Sequence, residues 1–197
     1  MPKLFVMKIN KTYIIFCFVL ITVCTLVKLF CSPLIEMSGF TAIIAVAVFA
    51  GLRSAKIKNV FLLPLIVLLS TDIILQLLYI LNIYPFAGFY SGQIINYLLV
   101  LLVSVIPVLI KNKNFAGIAF STLAAPTVYF VLSNFSVWLM DGYQSLPAYS
   151  RNITGLINCY TAGLPFYKNS LISTIIFVPA FIGLYQWMVA ARSKAVI

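Results

Sequence analysis

The chain has 197 residues, of which 63% are hydrophobic and only 8% are charged. Soluble globular proteins carry about 25% charged residues, so 13 basic and 3 acidic side chains are too few to cover a soluble surface. The composition excludes a soluble domain and predicts an integral membrane protein. The lack of His excludes imidazole as a general base or metal ligand. Three carboxylates leave little room for acid–base pairs or an oxygen-lined metal site, so we expect no enzyme activity, no cofactor and no metal.

Apolar segments of about 20 residues are long enough to cross a bilayer as helices. We predict six spans, at 12–31, 39–52, 59–82, 93–110, 115–134 and 170–191. The second would be about 21 Å long as a helix, so it is either a short buried span or a re-entrant segment. Residues 1–11 form a basic tail and 12–197 a single membrane domain. The predicted fold class is an all-α polytopic helical bundle with a structured external loop.

The basic residues are distributed unevenly over the predicted loops. Ten fall on the side of the two termini: Lys3, Lys8, Lys11, Arg53, Lys56, Lys58, Lys111, Lys113, Arg192 and Lys194. Only Lys28, Arg151 and Lys168 fall on the other side. The positive-inside rule therefore predicts that both termini of this multi-pass protein are cytoplasmic. The net charge of +10 is better explained by attraction to an anionic bilayer than to nucleic acid.

Polar side chains concentrate in the outer half of the predicted bundle. Asp72 lies about 20 Å from the inner end of the third span, and Gln76 follows one turn later on the same face. Asn96 and Asn134 reach the same level from the fourth and fifth spans. Because an ionisable residue inside a span indicates a functional site, this level predicts a ligand pocket open to the external face.

Asp72 also has two candidate partners of opposite charge. Lys28 lies at a similar height on the first span, and Arg151 lies in the loop above. The alternative to a ligand contact is therefore an ion pair between Asp72 and one of these cations.

The external loop 135–169 is rich in rings and amides and poor in charge. We predict that it folds over the outer ends of the spans as a lid, with a short helix at 153–164 that Pro165 stops and an enclosed cavity beneath it. Three rings would close over the ligand: Trp138, Tyr143 and Tyr160. Three amides would satisfy irregular backbone: Asn134, Asn158 and Asn169. A loop lying away from Asp72 would instead favour an assembly role.

Small residues are frequent in the second segment. Ala47 and Gly51, and likewise Ala50 and Ser54, form pairs with the small-xxx-small spacing that lets helices approach closely. Internal packing is the default interpretation of such pairs. The more specific hypothesis is that this segment docks a partner subunit.

Two stretches of the external loop carry a resemblance to known sequences. Ser-Asn-Phe-Ser-Val-Trp at 133–138 and Gly-Leu-Ile-Asn-Cys-Tyr-Thr-Ala-Gly-Leu-Pro-Phe-Tyr-Lys-Asn at 155–169 resemble a family of uncharacterised bacterial six-span membrane proteins. The small-residue segment and the Pro64–Asp72 stretch are also similar, so the resemblance covers about residues 38–185. It implies a small bacterial membrane protein without an assigned activity.

More distantly, the size and span count are similar to the substrate-binding S components of energy-coupling-factor vitamin transporters. This resemblance implies capture of a vitamin-like solute at the outer face. It also implies docking on a transmembrane coupling subunit that works with separate ATPases. In those proteins the docking residues lie in the first helix, whereas the small residues here lie in the second segment.

These features lead to two hypotheses for function. The first is a transporter subunit that captures a small solute with Asp72, Gln76, Asn96 and Asn134. The alternative is a structural or assembly protein whose external loop docks an envelope partner.

Overall fold

The computed structural model describes residues 11–54, 60–110, 113–140 and 149–194, and this part of the chain is helical with no strand. Its elements are α1 (Lys11–Cys31), a 3-10 turn (Ile35–Met37), α2 (Ile43–Arg53), α3 (Leu62–Ile80), α4 (Gln93–Ser104), α5 (Ile106–Leu109), α6 (Phe115–Leu139) and α7 (Ile153–Lys194). Helices α1, α3, α6 and α7 are long and apolar enough to cross a membrane. Helix α2 and the unit α4–α5 are apolar as well, but they are shorter than these four helices, so their length alone does not identify them as spans.

Helix α2 forms the centre of the bundle. Every residue from Ile43 to Leu52 is buried, which matches a sequence that is apolar on all sides. Phe49 packs against Phe16 of α1 and Tyr185 of α7 with ring centroids 5.0 and 5.6 Å apart. The 14-residue segment predicted from hydropathy is therefore a short helix whose surroundings are protein.

The small residues of α2 serve internal packing. A Cβ atom on Gly51 would overlap the Ser104 carbonyl oxygen and approach Pro107 Cδ to 3.0 Å. Ala47 and Ala50 are fully buried by the chain itself. Because the residues from Ile43 to Leu52 are buried within the chain, the small residues of this segment serve packing between its own helices.

Four cations mark one end of the bundle, which we call the basic end: Lys11, Arg53, Lys113 and Arg192. The Lys113 ammonium donates to the carbonyl oxygens of Gly51, Leu52 and Ser54 at 3.2, 2.9 and 3.2 Å, which satisfies the last carbonyls of α2. Burial, with the nearby Arg53 charge, lowers the pKa of Lys113. Arg53 lies over the Tyr185 ring, and Arg192 donates to Thr12 Oγ1 at 3.1 Å. These contacts bring together the starts of α1 and α6 and the ends of α2 and α7.

Helix α7 differs from the prediction because it is continuous through Pro165 and Pro179. The expected short helix at 153–164 and the expected span 170–191 are parts of one helix of 42 residues. The reason is packing against α6: the Phe130 ring contacts Tyr160 and Tyr167, one on each side of Pro165, at 5.6 and 4.7 Å. These contacts hold both halves of α7 on one axis despite the hydrogen bond that Pro165 cannot donate.

The segment between α1 and α2 packs against the middle of α7. Asn169 Nδ2 donates to the carbonyl oxygens of Glu36 and Ser38 at 2.7 and 2.8 Å, so this amide does satisfy irregular backbone, as predicted. Gly39 has a φ of +85°, and a Cβ atom there would lie 2.6 Å from the Phe166 carbonyl oxygen. From the level of Asn169, α7 continues about 24 Å further to Ile153. We call this part of α7 and the facing end of α6, residues 130–139 and 153–168, the outer hairpin.

Candidate functional site

Lys28 of α1 and Asp72 of α3 form a salt bridge. Lys28 Nζ lies 2.6 Å from Asp72 Oδ1. The two side chains differ in burial, because 24% of Lys28 is exposed against 1% of Asp72. Of the two partners that the sequence offers Asp72, the structure therefore selects Lys28. Arg151 lies elsewhere, donating to the Leu139 carbonyl oxygen beside the Trp138 ring.

The second oxygen of the Asp72 carboxylate is bound by the first turn of α4. Asp72 Oδ2 accepts hydrogen bonds from Gln93 Nε2 at 2.7 Å and from the Tyr97 hydroxyl at 2.6 Å. Gln93 Nε2 also donates to the Tyr97 hydroxyl oxygen at 2.9 Å. The carboxylate thus accepts three hydrogen bonds, one of them from the cationic Lys28 ammonium, and it joins α1, α3 and α4.

The loop 81–92 covers this network. The Tyr84 hydroxyl donates to the Lys28 carbonyl oxygen at 3.2 Å, and the Phe89 amide donates to Gln76 Oε1 at 3.1 Å. A Cβ atom on Gly88 would overlap the Asp72 carbonyl oxygen and lie 2.5 Å from the Gln76 backbone nitrogen. Helix α3 therefore runs about 12 Å past Asp72, and the loop folds back along it to the same level.

Gln76 and Asn96 are next to the network but bind protein groups of their own. Gln76 holds the loop through Phe89. Asn96 Nδ2 donates to the Tyr90 hydroxyl oxygen at 2.9 Å, and Asn96 Oδ1 accepts from the Tyr129 hydroxyl of α6. The polar groups of Asp72, Gln76 and Asn96 are thus all bound by groups of the protein itself.

The described residues predicted to close over the site lie in the outer hairpin instead. Trp138 Nε1 donates to the Ser150 carbonyl oxygen at 3.0 Å, and the Tyr160 hydroxyl donates to that of Val131 at 2.8 Å. Asn134 Nδ2 donates to the Phe130 carbonyl oxygen, and Asn158 is exposed on α7. The prediction that a helix at 153–164 lies across the bundle mouth with Trp138 and Tyr160 over Asp72 is wrong, because α7 packs lengthwise along α6. Tyr143 lies outside the described residues.

The outer hairpin exposes an apolar stripe on each of its helices. On α7 the exposed fractions of Ile153, Ile157 and Leu164 are 69, 57 and 51%, and their spacing places all three on one face. On α6 the exposed residues follow every fourth position: Val131, Phe135 and Leu139. At the tip of the hairpin, Asn152 caps the N-terminus of α7: its Oδ1 accepts a hydrogen bond from the Gly155 amide.

Two residues of the network, Gln93 and Tyr97, are absent from the predicted site. They are recognisable in the sequence as polar positions one turn apart at the start of the fourth span, the spacing that puts two side chains on one helix face. The loop 81–92 is likewise recognisable as an uncharged aromatic outer loop. Length alone favours the loop 135–169 as the cover, because long loops more often form lids.

Two grooves of the described residues lie away from Asp72. One of about 510 Å³ is purely apolar and lies between the start of α3 and α4–α5, with Phe61, Leu98 and Leu102 among its walls. The other, of about 480 Å³, lies at the basic end between α1 and α7. Among the described residues, no three His, Cys, Asp or Glu side chains are close enough to hold a metal ion.

Comparison with known proteins identifies a family but not a function. A family model described as "Family of unknown function (DUF6580)" matches residues 8–196. No curated protein and no solved structure matches the chain. The resemblance to the S components of vitamin transporters therefore has no support from these comparisons. Since the family model covers nearly the whole sequence, the chain belongs to the DUF6580 family.

Proposed function

We propose that the chain is a six-span protein of the bacterial cytoplasmic membrane with both termini in the cytoplasm. The basic end supports this topology, because the contacts of Arg53, Lys113 and Arg192 with neighbouring helices gather cationic helix ends at one end of the bundle, beside Lys11. The short helices α2 and α4–α5 are then spans as well, and α2 is enclosed by the rest of the bundle.

Cysteine labelling tests the topology. In a background without the native cysteines, we expect Ser145→Cys to react with an impermeant maleimide in intact cells. Asn112→Cys should react only after permeabilisation. Labelling of Asn112→Cys in intact cells would contradict the six-span arrangement.

We propose further that the protein acts as an assembly protein that docks an envelope partner through the outer hairpin. The apolar stripe at Ile153, Ile157 and Leu164 carries this proposal. Glu36 and Lys168 are exposed near the base of the hairpin, and charged side chains avoid hydrocarbon. The external surface of the cytoplasmic membrane then lies near this base, and the apolar stripe is exposed to water outside the bilayer. Apolar side chains grouped in water are typical of a protein–protein interaction site.

The state of the predicted pocket supports the same choice. The Asp72 carboxylate is satisfied by Lys28, Gln93 and Tyr97. Two of the rings expected to close over a ligand, Trp138 and Tyr160, bind backbone carbonyls of Ser150 and Val131 instead. A docking role needs a stable scaffold and a projecting surface. The hydrogen-bonded network around Asp72 is consistent with the first, and the outer hairpin with the second.

Photocrosslinking from Ile157 and Ile175 tests the docking role. The two residues are exposed and lie five full turns apart on the same face of α7, so they differ in height alone. With a photoreactive phenylalanine analogue, Ile157 should give a discrete protein adduct in living cells, which Leu164→Asp weakens. Ile175 should give no such adduct. Absence of a protein adduct at Ile157, or the same adducts at both positions, would contradict the proposal.

A second candidate is capture of a small solute by a transporter subunit at the Lys28–Asp72 network. The observation that favours it is the partial exposure of the Lys28 side chain beside loop 81–92, since a loop can open more readily than a helix. A vitamin-like solute with an acceptor group would then bind Lys28, and a separate coupling subunit with ATPases would drive transport.

Native mass spectrometry tests this second candidate. Protein purified in mild detergent should carry a small molecule at one copy per chain, and Lys28→Met/Asp72→Asn should lose it while keeping its fold. Identical spectra of the two proteins would contradict solute capture at this network.

A further inference from the structure

The groove at the basic end combines charge with apolar surface. It lies between the first turn of α1 and the last turns of α7 and has a volume of about 480 Å³. Lys11 and Arg192 supply two cations from two different helices, and none of the described residues that line the groove is acidic. Ile15 and Trp187 supply apolar walls that are 46 and 68% exposed.

The contacts of Arg192 hold one cation at the groove wall. Its Nη1 donates to Thr12 Oγ1 at 3.1 Å, and this bond uses one of the five N–H donors of the guanidinium group. Thr12 is 6% exposed and thus a fixed point on α1. The remaining donors and the exposed Lys11 suit a group with several anionic oxygens, such as a phosphate.

The groove also lies at the depth of a membrane interface. Lys11 and Lys28 are about 26 Å apart along α1, close to the thickness of the hydrocarbon core. An exposed Trp beside cations is typical of the interface, where the ring contacts acyl chains and the cations meet headgroups.

From these observations we propose that the groove binds one anionic phospholipid. Lys11 and Arg192 bind the headgroup phosphate, and the acyl chains lie along Ile15 and Trp187. Charge complementarity favours this occupant, because the basic end faces an anionic leaflet under the proposed topology. The lipid would join the first helix of the bundle to the last.

Native mass spectrometry of the full chain in neutral detergent tests this site. The probes are palmitoyl-oleoyl phosphatidylglycerol and phosphatidylcholine, which have the same chains and differ in net charge. We expect one phosphatidylglycerol to bind more tightly than phosphatidylcholine. Loss of each cation should lower the affinity for phosphatidylglycerol about fivefold, so the double variant Lys11→Gln/Arg192→Gln should bind it about 25-fold more weakly. Lys168→Gln removes an exposed cation elsewhere and should leave the affinity unchanged.

Further variants distinguish a lipid site from a site for a soluble phosphate. Arg192→Lys keeps the charge and should retain most of the binding, whereas Trp187→Ala should weaken lipid binding. Soluble glycerol 3-phosphate should not compete, because it lacks acyl chains. Equal binding of the two lipids, or full competition by glycerol 3-phosphate, would overturn the proposal. If the double variant fails to fold, an unchanged affinity of Lys11→Gln alone would overturn it equally.

Discussion

Replacing Lys28 by Met is expected to lower the free energy of unfolding by about 3–5 kcal/mol. Asp72 is 1% exposed, so loss of the ammonium leaves a buried carboxylate with two neutral donors, Gln93 and Tyr97. The measurement is unfolding by increasing SDS in mixed micelles. Lys168→Met is the matched control, because Lys168 is exposed on the outer hairpin and its loss should cost little.

Replacing Asp72 by Asn should lower the free energy of unfolding less than replacing Lys28 by Met does. Asp72→Asn leaves the Lys28 ammonium, and that side chain is already 24% exposed and can extend to water. The double variant Lys28→Met/Asp72→Asn should recover most of the stability lost in Lys28→Met, because no buried charge remains unpaired. Equal stabilities of Lys28→Met and Lys168→Met would mean that the pair contributes nothing.

Replacing Gly88 by Ala is expected to destabilise the protein by about 1–3 kcal/mol and to loosen the cover of the network. The new Cβ atom would meet backbone atoms of Asp72 and Gln76, which cannot move without distorting α3. The loop 81–92 would therefore lift from α3. Hydrogen exchange should become faster in this loop, and above all at the Phe89 amide that Gln76 binds.

Gly183→Ala is the control for this substitution. Gly183 also lies in the described chain, but a Cβ atom there would meet nothing within 4 Å. Its replacement should change the stability by at most a few tenths of a kcal/mol, or raise it through the higher helix propensity of Ala. The account of the loop would be wrong if both variants had the stability and the exchange rates of the wild type.

Much of the helical layout follows from hydropathy alone. The predicted first span, 12–31, matches α1 at Lys11–Cys31, and the predicted third span, 59–82, contains α3 at Leu62–Ile80. Such segments are recognisable because a long apolar run inside a bilayer must satisfy its own backbone hydrogen bonds, and a helix does so within one segment. The height of Lys28 relative to Asp72 also follows from helical rise, and the salt bridge confirms it.

The outer region could not be predicted in the same way. Pro165 is a local signal for a helix end, and it is overridden by ring contacts of Phe130 that join residues about 30 to 40 positions apart. The choice between the two loops that could cover Asp72 likewise depends on Gly88 fitting against α3, a close approach between segments that no pattern within either segment reveals.

The height of the outer hairpin relative to the bilayer is the most direct test of the docking account. Spin labels at Ile157→Cys and Ile175→Cys sample one face of α7 about 27 Å apart along the helix axis. In lipid bilayers, the label at position 157 should be relaxed mainly by a water-soluble nickel chelate and that at position 175 mainly by oxygen. Equal preference for oxygen at both positions would place the apolar stripe in lipid and contradict the account.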